Sequence, residues 1–121
     1  MSNSNIAIQQ RTEDFSIRVI KSYCELNQRH FDDAGKVLAK QFLRSGTSIG
    51  ANCAEAVYAQ SRNDFISKYS IALKEASETQ YWIKIMIKSK LVSEHEFSLM
   101  QQEILGIIKT LTAIIKKLKA D

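Results

Sequence analysis

The chain has 121 residues, 45% apolar and 25% charged, with a net charge of +4, four glycines and no proline. These ordinary globular values argue against a disordered or collagen-like chain, and so few turn formers exclude a many-stranded β sandwich or barrel. One domain is expected, and size scaling lets about two-thirds of its surface be buried without disulfides or metals.

Residues 1–10 are polar and carry neither the basic nor the apolar region of a signal peptide. The expectation is a flexible tail over residues 1–11 and a helical domain over 12–121. The first helix is predicted over residues 12–28, with Thr12 as N-cap and Glu13 and Asp14 in a first turn where the helix dipole favours acids. Phe15, Val19, Ser22, Tyr23 and Leu26 form its main stripe, and Ile17, Ile20 and Cys24 a second one beside it. Asp32 or Asp33 then caps a second helix over residues 34–59. Leu38, Phe42, Ser45, Ile49, Asn52 and Ala56 share one face of it, with Lys36, Lys40 and Arg44 opposite. Gly46 and Gly50 each cost a helix about 1 kcal/mol relative to alanine. That cost points to close approach by another backbone, and Ser45, Ser48, Ala51 and Ala54 extend the small surface.

The third helix opens at Ser61, with Asp64 three residues on, close to a capping box. Phe65, Tyr69, Ala72, Ala76, Thr79, Ile83 and Met86 carry its stripe to about residue 88. Ser93 and Glu96 form a fuller capping box for the fourth helix, whose stripe runs Phe97, Met100, Ile104, Ile107, Leu111, Ile114 and Leu118. Short links between such helices predict an all-α, antiparallel up-down-up-down four-helix bundle. The third and fourth helices carry surplus apolar residues, among them Tyr81, Trp82, Ile85, Ile87, Leu105, Ile108 and Ile115. A second contact surface is expected from that surplus, and with it a homo-oligomer. The most apolar stretch, residues 104–118, is interrupted by Lys109, Lys116 and Lys117, so no transmembrane helix is predicted. Cys24 and Cys53 are expected as reduced thiols in the cytoplasm.

Chemistry-bearing motifs are few. Residues 46–50 match G-x-S-x-G, but a nucleophile elbow needs a strand running into a sharp turn, and here the flanking pattern is helical. His30 and His95 stand 65 positions apart without a second ligand at metal-binding spacing, so no metal and no cofactor is expected. Arg44, Asn52 and Glu55 are expected in a structural polar network, since buried polar groups must be paired. The basic residues remain, and a sequence pI near 9.1 suits a polyanionic partner. Lys36, Lys40, Lys84, Lys88, Lys116 and Lys117 are the candidate phosphate contacts. Aromatic residues do not interleave these ridges, so backbone and shape recognition of RNA or DNA is expected over sequence readout.

Residues 42–56 carry Leu43, Arg44, Ser48, Ile49, Asn52, Ala54 and Glu55 at set positions, followed by Phe65, Ala72, Glu75 and Ala76. This pattern resembles the signature of the four-helix-bundle proteins encoded in intervening sequences of bacterial 23S rRNA genes. The likeness covers roughly residues 14–118, departing at Ala56, where the family has glycine, and at Phe31-Asp32, where Phe-Pro is common. The resemblance implies an antiparallel bundle assembling into a ring, pentameric in relatives. The chain is also similar to the accessory variability proteins of diversity-generating retroelements, basic pentamers that bind nucleic acid and a reverse transcriptase. A pentamer of this chain would carry +20, five copies of a +4 charge. The reading is therefore a non-enzymatic, ring-forming bundle that binds nucleic acid, with a protein-docking scaffold for a reverse transcriptase or ribosome-associated factor as the alternative.

Overall fold

The computed structural model describes residues 3–120 as four helices: α1 (Asn3–Leu26), α2 (Asp33–Ala56), α3 (Arg62–Lys88) and α4 (Glu94–Ala120). Helices α2, α3 and α4 start where the capping signals stand. The Asp32 side chain accepts from the Gly35 N–H, and the Ser61 hydroxyl from the Asp64 N–H. At α4, Glu96 accepts from the Ser93 N–H at 2.9 Å while the Ser93 hydroxyl accepts from the Glu96 N–H at 3.1 Å. These bonds satisfy N–H groups that a helix start would otherwise leave open. After α3 the chain turns through Lys90 at φ 64, a left-handed position that usually falls to glycine.

The helix start expected at Thr12 is corrected. Residues 3–11 are helical, not a tail, while residues 1–2 lie outside the described residues. Ile8 and Thr12 are fully buried, and the Thr12 hydroxyl donates to the Ile8 carbonyl at 2.8 Å. Thr12 thus sits inside α1, satisfied by the carbonyl one turn back.

Each helix packs against its chain neighbours and α1 closes on α4, while α1 and α3 occupy opposite corners. Residue numbers rise along one helix as they fall along its neighbour. Arg11 meets Thr110 and Arg18 meets Glu103 across α1 and α4, and Arg29, just past α1, meets Glu96. Arg44 meets Glu75, and Glu55 meets Lys68, across α2 and α3.

The core holds Phe15, Phe42, Tyr69, Ile49, Ile83, Ile104, Ile107 and Leu111, all essentially buried. The Phe42 and Phe97 rings meet edge-on at 5.7 Å between centroids. The buried face of α2 is turned toward α1 relative to the sequence reading: Gly35, Ala39, Gly46 and Cys53 are buried, whereas Leu38 and Asn52 are half-buried at its edge. Gly46 and Gly50 supply the predicted close approach. A Cβ on Gly46 would lie 2.8 Å from a Val19 methyl, and one on Gly50 would lie 3.0 Å from the Thr12 carbonyl oxygen. On the other side, the buried Ser45 and Thr79 hydroxyls hydrogen-bond at 2.9 Å and tie α2 to α3.

Part of the apolar surplus is absorbed: Ile115 is buried, and Trp82, Ile85, Ile87 and Ile108 are half-buried. Ile6, Ile17 and Ile20 on α1, Val37 on α2, Ile71 and Tyr81 on α3, and Leu99 and Leu105 on α4 remain exposed.

Candidate nucleic-acid interface

All six candidate lysines are exposed. Lys36 and Lys40 occupy the first turns of α2, and Lys84 and Lys88 the last turns of α3. The order of contacts between α2 and α3 puts those turns at the same end of the bundle. Lys116 and Lys117 lie at the other end, where the Arg62 guanidinium donates to the Leu118 carbonyl at 2.8 Å. At 1.5 Å per residue these ends are roughly 35–40 Å apart. The structure therefore gathers the six into two groups. Lys84 follows Glu75 by nine residues, which at 100° each puts it about 180° around α3, away from the seam with α2.

Among the described residues the cations divide by pairing, and the six candidates share the unpaired class with Lys21, Lys74, Lys90, Lys109 and Lys119. Arg18, Arg29, Arg44 and Lys68 are held by carboxylates within 4 Å. None of the six lysines forms an ion pair among the described residues. The Arg29–Glu96 contact is the best organised of the pairs. Hydrogen bonds from Arg29 hold the Glu96 carboxyl below its usual range, and the Ser93 N–H adds to this. The same hydrogen bonds to Glu96 raise Arg29.

Arg44, Asn52 and Glu55 do not form one network, which corrects the sequence expectation. Arg44 is exposed and bridges to Glu75, at 3.2 Å, and to Glu78, whose carboxylate also accepts from the Trp82 indole at 3.1 Å. Asn52 donates to the Ser48 carbonyl on its own helix, and Glu55 pairs with Lys68 at 3.1 Å. Arg44 and Glu55 lie eleven positions apart on α2 with partners at different levels of α3, and Asn52 bonds within its own helix, so no single cluster can close. Ser48, the serine of the G-x-S-x-G match, donates to the Arg44 carbonyl at 2.6 Å in mid-helix.

The sequence reading passed over Tyr58. It stands in the link between α2 and α3 and is 85% exposed. Its signal was positional: an aromatic placed after the stripe of α2 ends and before that of α3 begins. A surface recess of about 420 Å³ opens at this end, between Val57, Ala59, Arg62, Phe65 and Leu118. A second recess, of about 510 Å³, lies at the opposite end between Arg29, Ile87, Lys90 and Glu94. His30 and His95 are both exposed. Among the described residues no three His, Cys, Asp or Glu side chains converge to hold a metal ion. No described helix is long and apolar enough to cross a membrane.

The profile of the 23S rRNA-intervening sequence protein family matches residues 4–113. A crystal structure at 1.70 Å of a protein with unknown function, from the S23 ribosomal protein family of Bacteroides thetaiotaomicron, superposes with a TM-score of 0.84. The two sequences are 40% identical, and the match covers 93% of this chain and 98% of that one. No curated protein matches.

Proposed function

Because the chain belongs to the 23S rRNA-intervening sequence protein family, we propose that it is a non-enzymatic, cytoplasmic, antiparallel four-helix bundle that assembles into a pentameric ring and binds RNA or DNA through phosphate contacts. The observation that carries this reading is the division among its cations: arginines are spent on seams between helices, while Lys36, Lys40, Lys84, Lys88, Lys116 and Lys117, like other surface lysines, face solvent with no ion pair among the described residues. Unpaired surface lysines release counterions from a phosphate backbone without first giving up a partner. The opposed residue numbering of neighbouring helices supports the antiparallel course. The ring is supported by apolar residues on opposite corners, Ile6, Ile17 and Ile20 on α1 and Ile71 and Tyr81 on α3. Two unlike patches facing away from each other suit a head-to-tail contact, the kind that closes rings. The two family names, one of rRNA intervening sequences and one of ribosomal proteins, put RNA first among the polyanions to test.

Fluorescence anisotropy with short RNA and DNA, at about 50 and 200 mM salt, tests the reading, with light scattering on the same sample for mass. The expected outcome is binding that weakens steeply with salt. Lys84→Ala with Lys88→Ala should lower affinity for all sequences alike and reduce the salt slope by about one unit per lost contact. Unchanged binding in that variant removes the Lys84 and Lys88 patch from the interface. No binding at the lower salt overturns the reading and leaves the ring as a docking scaffold for a protein partner.

A further inference from the structure

We propose that the end of the bundle formed by Tyr58 and the last turn of α4 is a site for single-stranded nucleic acid, with the Tyr58 ring as a stacking platform and Lys116, Lys117 and Lys119 as phosphate contacts. This rests on the reading that the chain binds nucleic acid, and adds which form and which end.

Tyr58 is 85% exposed and makes no ring contact among the described residues. Most of its face is therefore open to water, an unfavourable place for so large an apolar surface unless a ligand covers it. Its backbone is nevertheless fixed. Val57, Tyr58 and Ala59 donate in turn to the carbonyls of Ala54, Glu55 and Ala56 at 3.0–3.3 Å, so the link continues α2 as a tight turn. A ring on an ordered turn is presented at little entropic cost, which favours its use as a platform.

The lysines are placed beside it by the fold. Tyr58 precedes Arg62 by four residues, a span of at most about 14 Å of chain. Arg62 donates through Nε at 3.3 Å and Nη2 at 2.8 Å to the Leu118 carbonyl, which pins the last turn of α4 to the first turn of α3. Val57 and Ala59, on either side of Tyr58, line one recess with Leu118, on either side of which stand Lys117 and Lys119. The last turn of α4 carries those cations and no described carboxylate. Sequence had separated ring and lysines by about half the chain.

An exposed aromatic face beside a cluster of cations selects for strand form. In a duplex the base faces are already stacked on one another and only edges and phosphates are offered. A single strand offers both a phosphate row and free base faces, and stacking on tyrosine tolerates any base. The opposite end of the bundle is differently made. There Tyr81 is 51% exposed, but its ring packs edge-on against Trp82 at 5.3 Å.

The full chain is titrated by anisotropy against labelled oligo-U, oligo-dT and a duplex, each of about ten nucleotides, at about 50 mM salt. The expected result is tighter binding of the single strands than of the duplex. Tyr58→Ala should weaken single-strand binding by about five- to a hundredfold and leave the duplex unchanged, while Tyr58→Phe, which keeps the ring, retains it. The U and dT arms tell RNA from DNA. Unchanged single-strand affinity in Tyr58→Ala, a loss in Tyr81→Ala instead, or duplex bound more tightly than single strands overturns the proposal while leaving nucleic-acid binding in place. Silence from all three probes with the wild-type chain overturns both. Circular dichroism of each variant shows that helix content is kept, as expected for a side chain that is 85% exposed.

Discussion

Cys53 is fully buried against α1, where its backbone carbonyl accepts from the Gln9 side chain. Burial pushes its thiol up to about 11, and a hydrogen bond with Thr12 offsets this in part. Burial raises the Tyr69 phenol as well. A folded value above the unfolded one means the native state holds its proton while the unfolded chain has lost it. The stability this gives is present below pH 9 and lost as pH rises from about 9 to 11. Urea unfolding across that window should show a fall of up to roughly 2–3 kcal/mol from Cys53 alone, in the same direction as Tyr69. A flat profile would contradict the burial of both groups. Thr12 shows what local reading misses at this scale. Threonine before Glu13 and Asp14 carries every sign of an N-cap, yet its hydroxyl is satisfied within the helix and Ile8 extends the stripe one turn back. Arg44 shows the other failure, since its carboxylate partners stand 31 and 34 positions away.

At the scale of elements, the caps of α2, α3 and α4 were legible because each is built from residues within four positions of one another. The close approach of α1 and α2 was legible too, from Gly46 and Gly50 placed one turn apart. Which helix comes close was not, because the glycine pattern names a face and not its occupant. The structure identifies α1, through Val19 and the Thr12 carbonyl. Gly50→Ala and Gly46→Ala should each destabilise the chain by about 1–3 kcal/mol in thermal or urea unfolding. The gain in helix propensity, at most about 1 kcal/mol, does not offset a methyl pressed onto a neighbouring helix. A stabilised variant would show that α1 and α2 pack further apart than described. Beside this tight seam, α1 keeps Ile17 and Ile20 exposed, the second stripe that the spacing had marked.

Over the whole molecule, the four-helix course was legible because every helix has a stripe and every link is short. The candidate site was legible as a list of lysines and not as an arrangement. Lys116 and Lys117 lie at the far end from Lys84 and Lys88, and Tyr58 joins them only once α3 folds back along α4. The links span residues 27–32, 57–61 and 89–93, and each helix packs on the one that follows it in the chain. Contacts made by near neighbours in sequence need little loop closure before they form, so this topology belongs with domains that fold in microseconds to milliseconds. The chain also lacks proline, so the isomerisation that delays refolding by tens of seconds has no bond to act on. Stopped-flow refolding should therefore show one fast exponential for the monomer. Any slower phase should accelerate with protein concentration, as subunit assembly does and intramolecular folding does not. The time course of refolding thus reads out association directly, apart from any measurement of mass.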